Sequence, residues 1–213
     1  MNYLQNLWNA LDLGSLRDTL LRVAAVLLCL ILHETCHGIA AFFLGDPTAK
    51  RNHRLSLNPL RHIDWIGLAA MVLTGVGWAK PVPVNPSYFK HPKRGMAITA
   101  LAGPVSNQLL ALWLLLGARL MYTRALTTGD INETLFEFMV STALLSIGLG
   151  VFNLIPIPPL DGSKVLAALL PDRQYAWLMR YERFGMLIIM ALVCFGALSN
   201  VLDGAIGWVF QLF

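Results

Sequence analysis

The chain has 213 residues, of which 56% are hydrophobic and only 13% charged, and its formal net charge is +4. In soluble domains roughly a quarter of residues carry charge, so this composition excludes an ordinary soluble protein and indicates a membrane-embedded one, of a length that suits one domain. The basicity needs no nucleic-acid partner: eight of the 16 Lys and Arg residues fall between positions 46 and 95 and four between 161 and 184, as in loops retained on the cytoplasmic side of a membrane.

Residues 1–18 space Leu4, Leu7, Trp8, Leu11 and Leu16 at helical intervals, which predicts an amphipathic helix lying in the interface. No basic region leads a short apolar core there, so no cleavable signal is expected and the first span stays in the mature protein. Residues 19–44 are apolar over more than the roughly 20 residues a helix needs to cross a bilayer, and they contain His33, Glu34 and His37. Ionisable groups at membrane depth cost on the order of 2.5–3.5 kcal/mol apiece, so three together require a partner or a wet cavity.

Residues 45–95 are rich in Pro, Gly, Asn and basic side chains. The apolar stretch 66–79 within them is too short and glycine-rich for a span, and suits a re-entrant or β-like loop buried within the protein. A second span is predicted over 96–122, a third over 135–154 and a fourth over 184–210, with Pro156, Pro158 and Pro159 breaking the chain after the third and Asp161 just beyond. The sequence thus predicts an all-α membrane protein of about four transmembrane helices plus a re-entrant element, in one membrane-embedded domain over 19–213. Cys29, Cys36 and Cys194 lie in apolar runs, and their odd number argues for packing rather than disulfides.

His33-Glu34-Thr35-Cys36-His37 forms an H-E-x-x-H pattern on the first predicted span. At about 100° per residue the two histidines differ by about 40° in direction, so both can face one metal ion. They could instead be satisfied polar residues at a helix contact, but the full pattern at membrane depth, with a second intramembrane carboxylate, favours a metal. A catalytic zinc takes three protein ligands and keeps a position open. Asp161 is the best third ligand, because an unpaired carboxylate at a broken helix in apolar surroundings is expensive. Cys36 is directed about 60° from His33, and as an adjacent residue of the same turn it would strain a tetrahedral site; it reads as packing.

Five segments together resemble the site-2 protease family of intramembrane metalloproteases, in its short prokaryotic form without a PDZ domain. They are HETCHGIAAFFLGDPTA at 33–49, RLSLNPLRHID at 54–64, GWAKPVPVNP at 77–86, ALAGPVSN at 100–107 and FNLIPIPPLDG at 152–162. The resemblance implies one zinc per chain on His33, His37 and Asp161, with Glu34 as the catalytic glutamate and Asn153 holding substrate or steadying the oxyanion. It also implies that the loop carrying Gly75, Gly77, Trp78 and Lys80 presents a strand edge to substrate. Asn107, on the second span, could pack near the metal and substrate or merely hydrogen-bond across helices. Cys36 stands where the family has a small residue, Asp64-Trp65 replaces its Asp-Pro, and the re-entrant segment is shorter.

The implied activity is hydrolysis of peptide bonds within or near the transmembrane segments of single-pass membrane proteins, in a prokaryotic cell membrane with the basic loops cytoplasmic. A substrate helix must unwind to expose a carbonyl, and the loop near 75–81 could pair with the freed backbone. The alternative is a non-catalytic membrane zinc protein, a transporter or scaffold using the same ligands. A transporter lines a path with ionisable groups on several spans, whereas here the polar residues converge on one point. His53, His62 and His91 read as interfacial, and Asp46 and Asp64 as turn or cap residues. Substrate identity and oligomeric state are not legible.

Overall fold

The computed structural model describes residues 16–65, 67 and 80–171, and beyond these only 173, 174, 180, 185, 189, 204 and 207. In chain order the helices are α1 (Leu16–Phe43), α2 (Thr48–Arg51), α3 (Pro92–Thr128), α4 (Glu133–Leu154) and α5 (Asp161–Leu169), with 3₁₀ turns at Pro59–Arg61 and Pro86–Tyr88. No strand occurs among the described residues.

Three helices are long and apolar enough to cross a membrane: Arg17–Phe43, Pro92–Thr128 and Glu133–Leu154, with mean hydropathies of 1.8, 1.4 and 1.9. They correspond to the expected spans 19–44, 96–122 and 135–154, but each begins earlier and α3 also ends later. Hydropathy marks the lipid-crossing part, whereas the helix runs on to its caps. Pro92 supplies the preset φ of a first helical position. Gly129, at φ 70°, closes the other end through its N–H to the Ala125 carbonyl. Asn132 caps α4 by accepting from the Leu135 N–H at 3.1 Å. The amphipathic helix expected over 1–18 is corrected at its end, since residues 16–18 already belong to α1; its first fifteen residues lie outside the described ones. So do most of the fourth span, 184–210, and of the re-entrant segment, 66–79.

α3 is central, packing against α4, α1 and α5. Small residues let the backbones approach, as is usual where lipid removes the ordinary hydrophobic drive for helix pairing: Ala111 on α3 and Ala143 with Ile147 on α4 form the buried seam. Trp113, Leu120 and Leu126 on the outer face of α3 are 70% or more exposed, as suits side chains turned toward acyl chains.

The segment from 44 to 91 is tied together by buried polar groups. Asp46 is fully enclosed and accepts from the backbone N–H groups of Thr48 (2.9 Å) and Asn85 (2.6 Å). Arg54 donates to the carbonyls of Arg61, Lys80 (2.5 Å) and Pro81 (3.2 Å), joining the stretches on either side of the re-entrant segment. Burial draws the Arg54 pKa down, against an upward push from the Glu34 charge. His62 is buried, with Nε2 at 2.6 Å from the Ser56 carbonyl.

Candidate metal centre

His33 and His37 lie one helical turn apart on α1, about 15 Å and 9 Å from its C-terminal end at 1.5 Å per residue. Both lie within Arg17–Phe43, a helix long and apolar enough to cross a membrane. Asp161 opens α5, after the prolines that end α4. Gly162, next to it, allows the close approach: a Cβ there would sit 2.1 Å from the Leu154 carbonyl oxygen, so a side chain would push the carboxylate off its register.

The two stretches meet. Asp161 Oδ2 lies 3.1 Å from His33 Nε2 and 3.0 Å from His37 Nε2, and the three residues are 6%, 4% and 8% exposed. Three donors bonded to one zinc at about 2.0 Å in tetrahedral directions stand roughly 3.3 Å apart, so the spacing and the N,N,O donor set fit zinc. Asp161 Oδ2 faces both imidazoles, and a metal would take it as an ionised carboxylate.

Glu34 points into the same space. One ligand atom each from His33, Glu34 and His37 lies within 4.8 Å of the others. Glu34 Oε2 accepts from the Val82 N–H at 2.8 Å, which holds the carboxylate in place. His37 Nδ1 is 2.7 Å from the Thr99 carbonyl, so its Nδ1–H donates there and Nε2 is left for a metal. Thr99 precedes Ala100, whose carbonyl loses its helical donor to Pro104. α3 can lie this close only because residue 103 is glycine: a Cβ would fall 2.5 Å from His37 Nε2 and 2.7 Å from His33 Cε1.

A cavity of about 310 Å³ opens onto His33, Glu34, His37 and Asp161, with Asn153 and Lys164 on its wall. Asn153 donates one N–H to the Leu149 carbonyl at 3.0 Å and has a second to offer. Lys164 Nζ is 3.5 Å from Asp161 Oδ1. Asn107 is fully buried beside His33, away from the cavity wall. Cys36 is half-buried and also off the wall. Lys80 is exposed, and its backbone N–H donates to the His62 carbonyl at 2.9 Å. Gly75, Gly77 and Trp78 lie outside the described residues.

Three contributors to the site are not evident from the sequence pattern. Lys164 has a signal there, the i,i+3 spacing from Asp161. The Thr99 carbonyl and Val82 N–H are backbone groups, which side-chain identity does not announce.

Two histidines and two carboxylates gathered around one cavity by separate stretches of a helical membrane protein define an intramembrane metallopeptidase. The chain belongs to peptidase family M50, whose profile matches residues 22–196. It is 35% identical over 176 residues to YwhC of Bacillus subtilis, covering 80% of this chain and 78% of that one. It is 30% identical over 196 residues to Rip2 of Mycobacterium tuberculosis H37Rv, covering 89% and 73% respectively. A shorter match, 30% over 113 residues, joins it to MJ0392 of Methanocaldococcus jannaschii, covering 52% of this chain and 31% of that one. All three carry zinc-metalloprotease names. No solved structure matches the chain. The protein is therefore an integral membrane zinc metalloprotease.

Proposed function

We propose that this protein cuts peptide bonds within or near the transmembrane segments of single-pass membrane proteins, using one zinc held by His33, His37 and Asp161. The observation that carries the ligand assignment is the 3.0–3.1 Å approach of Asp161 Oδ2 to both imidazole Nε2 atoms. It leaves Glu34, held by Val82, as the base of the H-E-x-x-H motif rather than a ligand. Zinc bound there supplies a Lewis acid that polarises a peptide carbonyl and brings the pKa of a water molecule down to about 7.

The chain's own groups do the rest. Glu34 takes the proton of the attacking water and returns it to the leaving amine. The Val82 N–H on Oε2 leaves Oε1 for this task and keeps the carboxylate from turning away. Asn153 directs its free N–H at the developing oxyanion. Lys164 neutralises the second oxygen of Asp161 and adds positive charge to the cavity wall. The extended stretch through Val84, which also borders the cavity, offers backbone to an unwound substrate.

The membrane is the cell membrane of a prokaryote, with the segment between α1 and α3 cytoplasmic. Eight Lys and Arg fall between positions 46 and 95, against four, Arg17, Arg22, Arg119 and Arg124, toward the opposite ends of α1 and α3.

Purified protein in lipid vesicles, mixed with a single-pass protein bearing Gly and Pro in its span, tests the activity. Cleavage is expected to stop when a chelator removes zinc, to return on adding zinc, and to be faster than with an all-leucine span. Cleavage indifferent to the metal, or zinc transport across the vesicle without cleavage, contradicts the proposal.

A further inference from the structure

Asn107 is 0% exposed on the face of α3 that meets α1, and it does not border the cavity. Its position is fixed by α4, since Ser146 Oγ donates to its carbonyl at 2.8 Å. In the carboxamide, Nδ2 is 3.1 Å from His33 Nδ1, and Oδ1 has no hydrogen-bond partner among the described residues.

A neutral imidazole carries one proton on one of its two nitrogens. Where His33 carries its proton on Nε2, that N–H donates to Asp161 Oδ2 and Nδ1 accepts from Asn107 Nδ2. A His33 that gives Nε2 to a metal must carry its proton on Nδ1 instead, and Nδ1 then faces a second donor. A half-turn of the carboxamide exchanges two atoms of nearly equal size and puts Oδ1 opposite the Nδ1 proton. His37 needs no such device, because the Thr99 carbonyl is a permanent acceptor for its Nδ1–H.

We infer that Asn107 is a positioning residue for His33, its Oδ1 accepting the Nδ1 proton of the metal-bearing tautomer and its Nδ2 serving the other. Asparagine meets both states, aspartate only the metal-bearing one, and leucine neither. The inference rests on His33 being a zinc ligand. It assigns Asn107 to the metal rather than to substrate.

Zinc affinity of the full-length protein, measured by chelator competition, tests this without any cleavage assay. N107L is expected to weaken zinc binding roughly 10- to 100-fold, the usual loss when a ligating histidine is deprived of its outer partner. N107D is expected to bind at least as tightly as the wild type. A role in packing alone gives the reverse order, because leucine matches the volume and aspartate brings a buried charge. In an H33C background, where a thiolate ligand has no second ring nitrogen, N107L should have no further effect. This cycle decides the question even if N107D does not fold. N107L holding zinc as tightly as wild type, or an undiminished N107L loss in the H33C background, overturns the role of Asn107 alone. Wild-type protein that binds no zinc overturns the metal site with it.

Discussion

Replacing Glu34 with glutamine should lower peptide-bond cleavage by about 10²- to 10⁴-fold, the range for a lost general base, while leaving one zinc bound per chain. Glutamine keeps the length and planarity of glutamate, and its carbonyl oxygen can still accept from the Val82 N–H that holds Glu34 at 2.8 Å. What it lacks is a basic oxygen for the proton of water. Both halves of this result matter, because His33, Glu34 and His37 could by themselves hold a metal. If Glu34 were the third ligand, the substitution would empty the site. Zinc content by elemental analysis, alongside cleavage of a reconstituted single-pass substrate, separates the two. Zinc loss in step with activity loss would move Glu34 from base to ligand, and full zinc transport by the glutamine variant would favour a carrier.

In Asp161→Ala, zinc and cleavage are expected to be lost together. Removing this carboxylate takes away the donor that stands 3.0–3.1 Å from both imidazoles and leaves two histidines, one fewer ligand than catalytic zinc sites use. Zinc affinity should fall by more than the roughly 10- to 100-fold that follows loss of a mere outer partner, so the purified variant should hold almost no zinc and cut nothing. The fold should survive, because the contact that seats α5 against the end of α4 is made by Gly162 and backbone. A folded, zinc-loaded Asp161→Ala protein would show that the carboxylate merely pairs with the histidines.

Much of this site is legible in the residues themselves, for a physical reason. Charged and imidazole groups at membrane depth are costly enough to stand out against an apolar background, so His33, Glu34, His37 and Asp161 announce themselves, and helical spacing puts the histidines on one face. The three long apolar helices among the described residues are legible to within a few residues at most ends. Pro92 and Gly129 set the ends of α3 where hydropathy has already faded. Backbone groups are not legible. Nothing in the letters Thr99 or Val82 says that a carbonyl will orient His37 or an amide will hold Glu34. Nor does Gly103 reveal that it is glycine so that two imidazoles can press against α3. The role of Asn107 stays open in the sequence because its meaning depends on which atom of His33 it faces, a fact of packing between α1 and α3.

The most direct measurement is the zinc-edge anomalous signal from crystals of the wild-type protein grown without added chelator. One peak per chain is expected, bonded to Nε2 of His33, Nε2 of His37 and a carboxylate oxygen of Asp161, with Glu34 outside bonding distance. A peak seated elsewhere, or an Asp161 carboxylate turned away from an otherwise occupied site, would contradict the assignment.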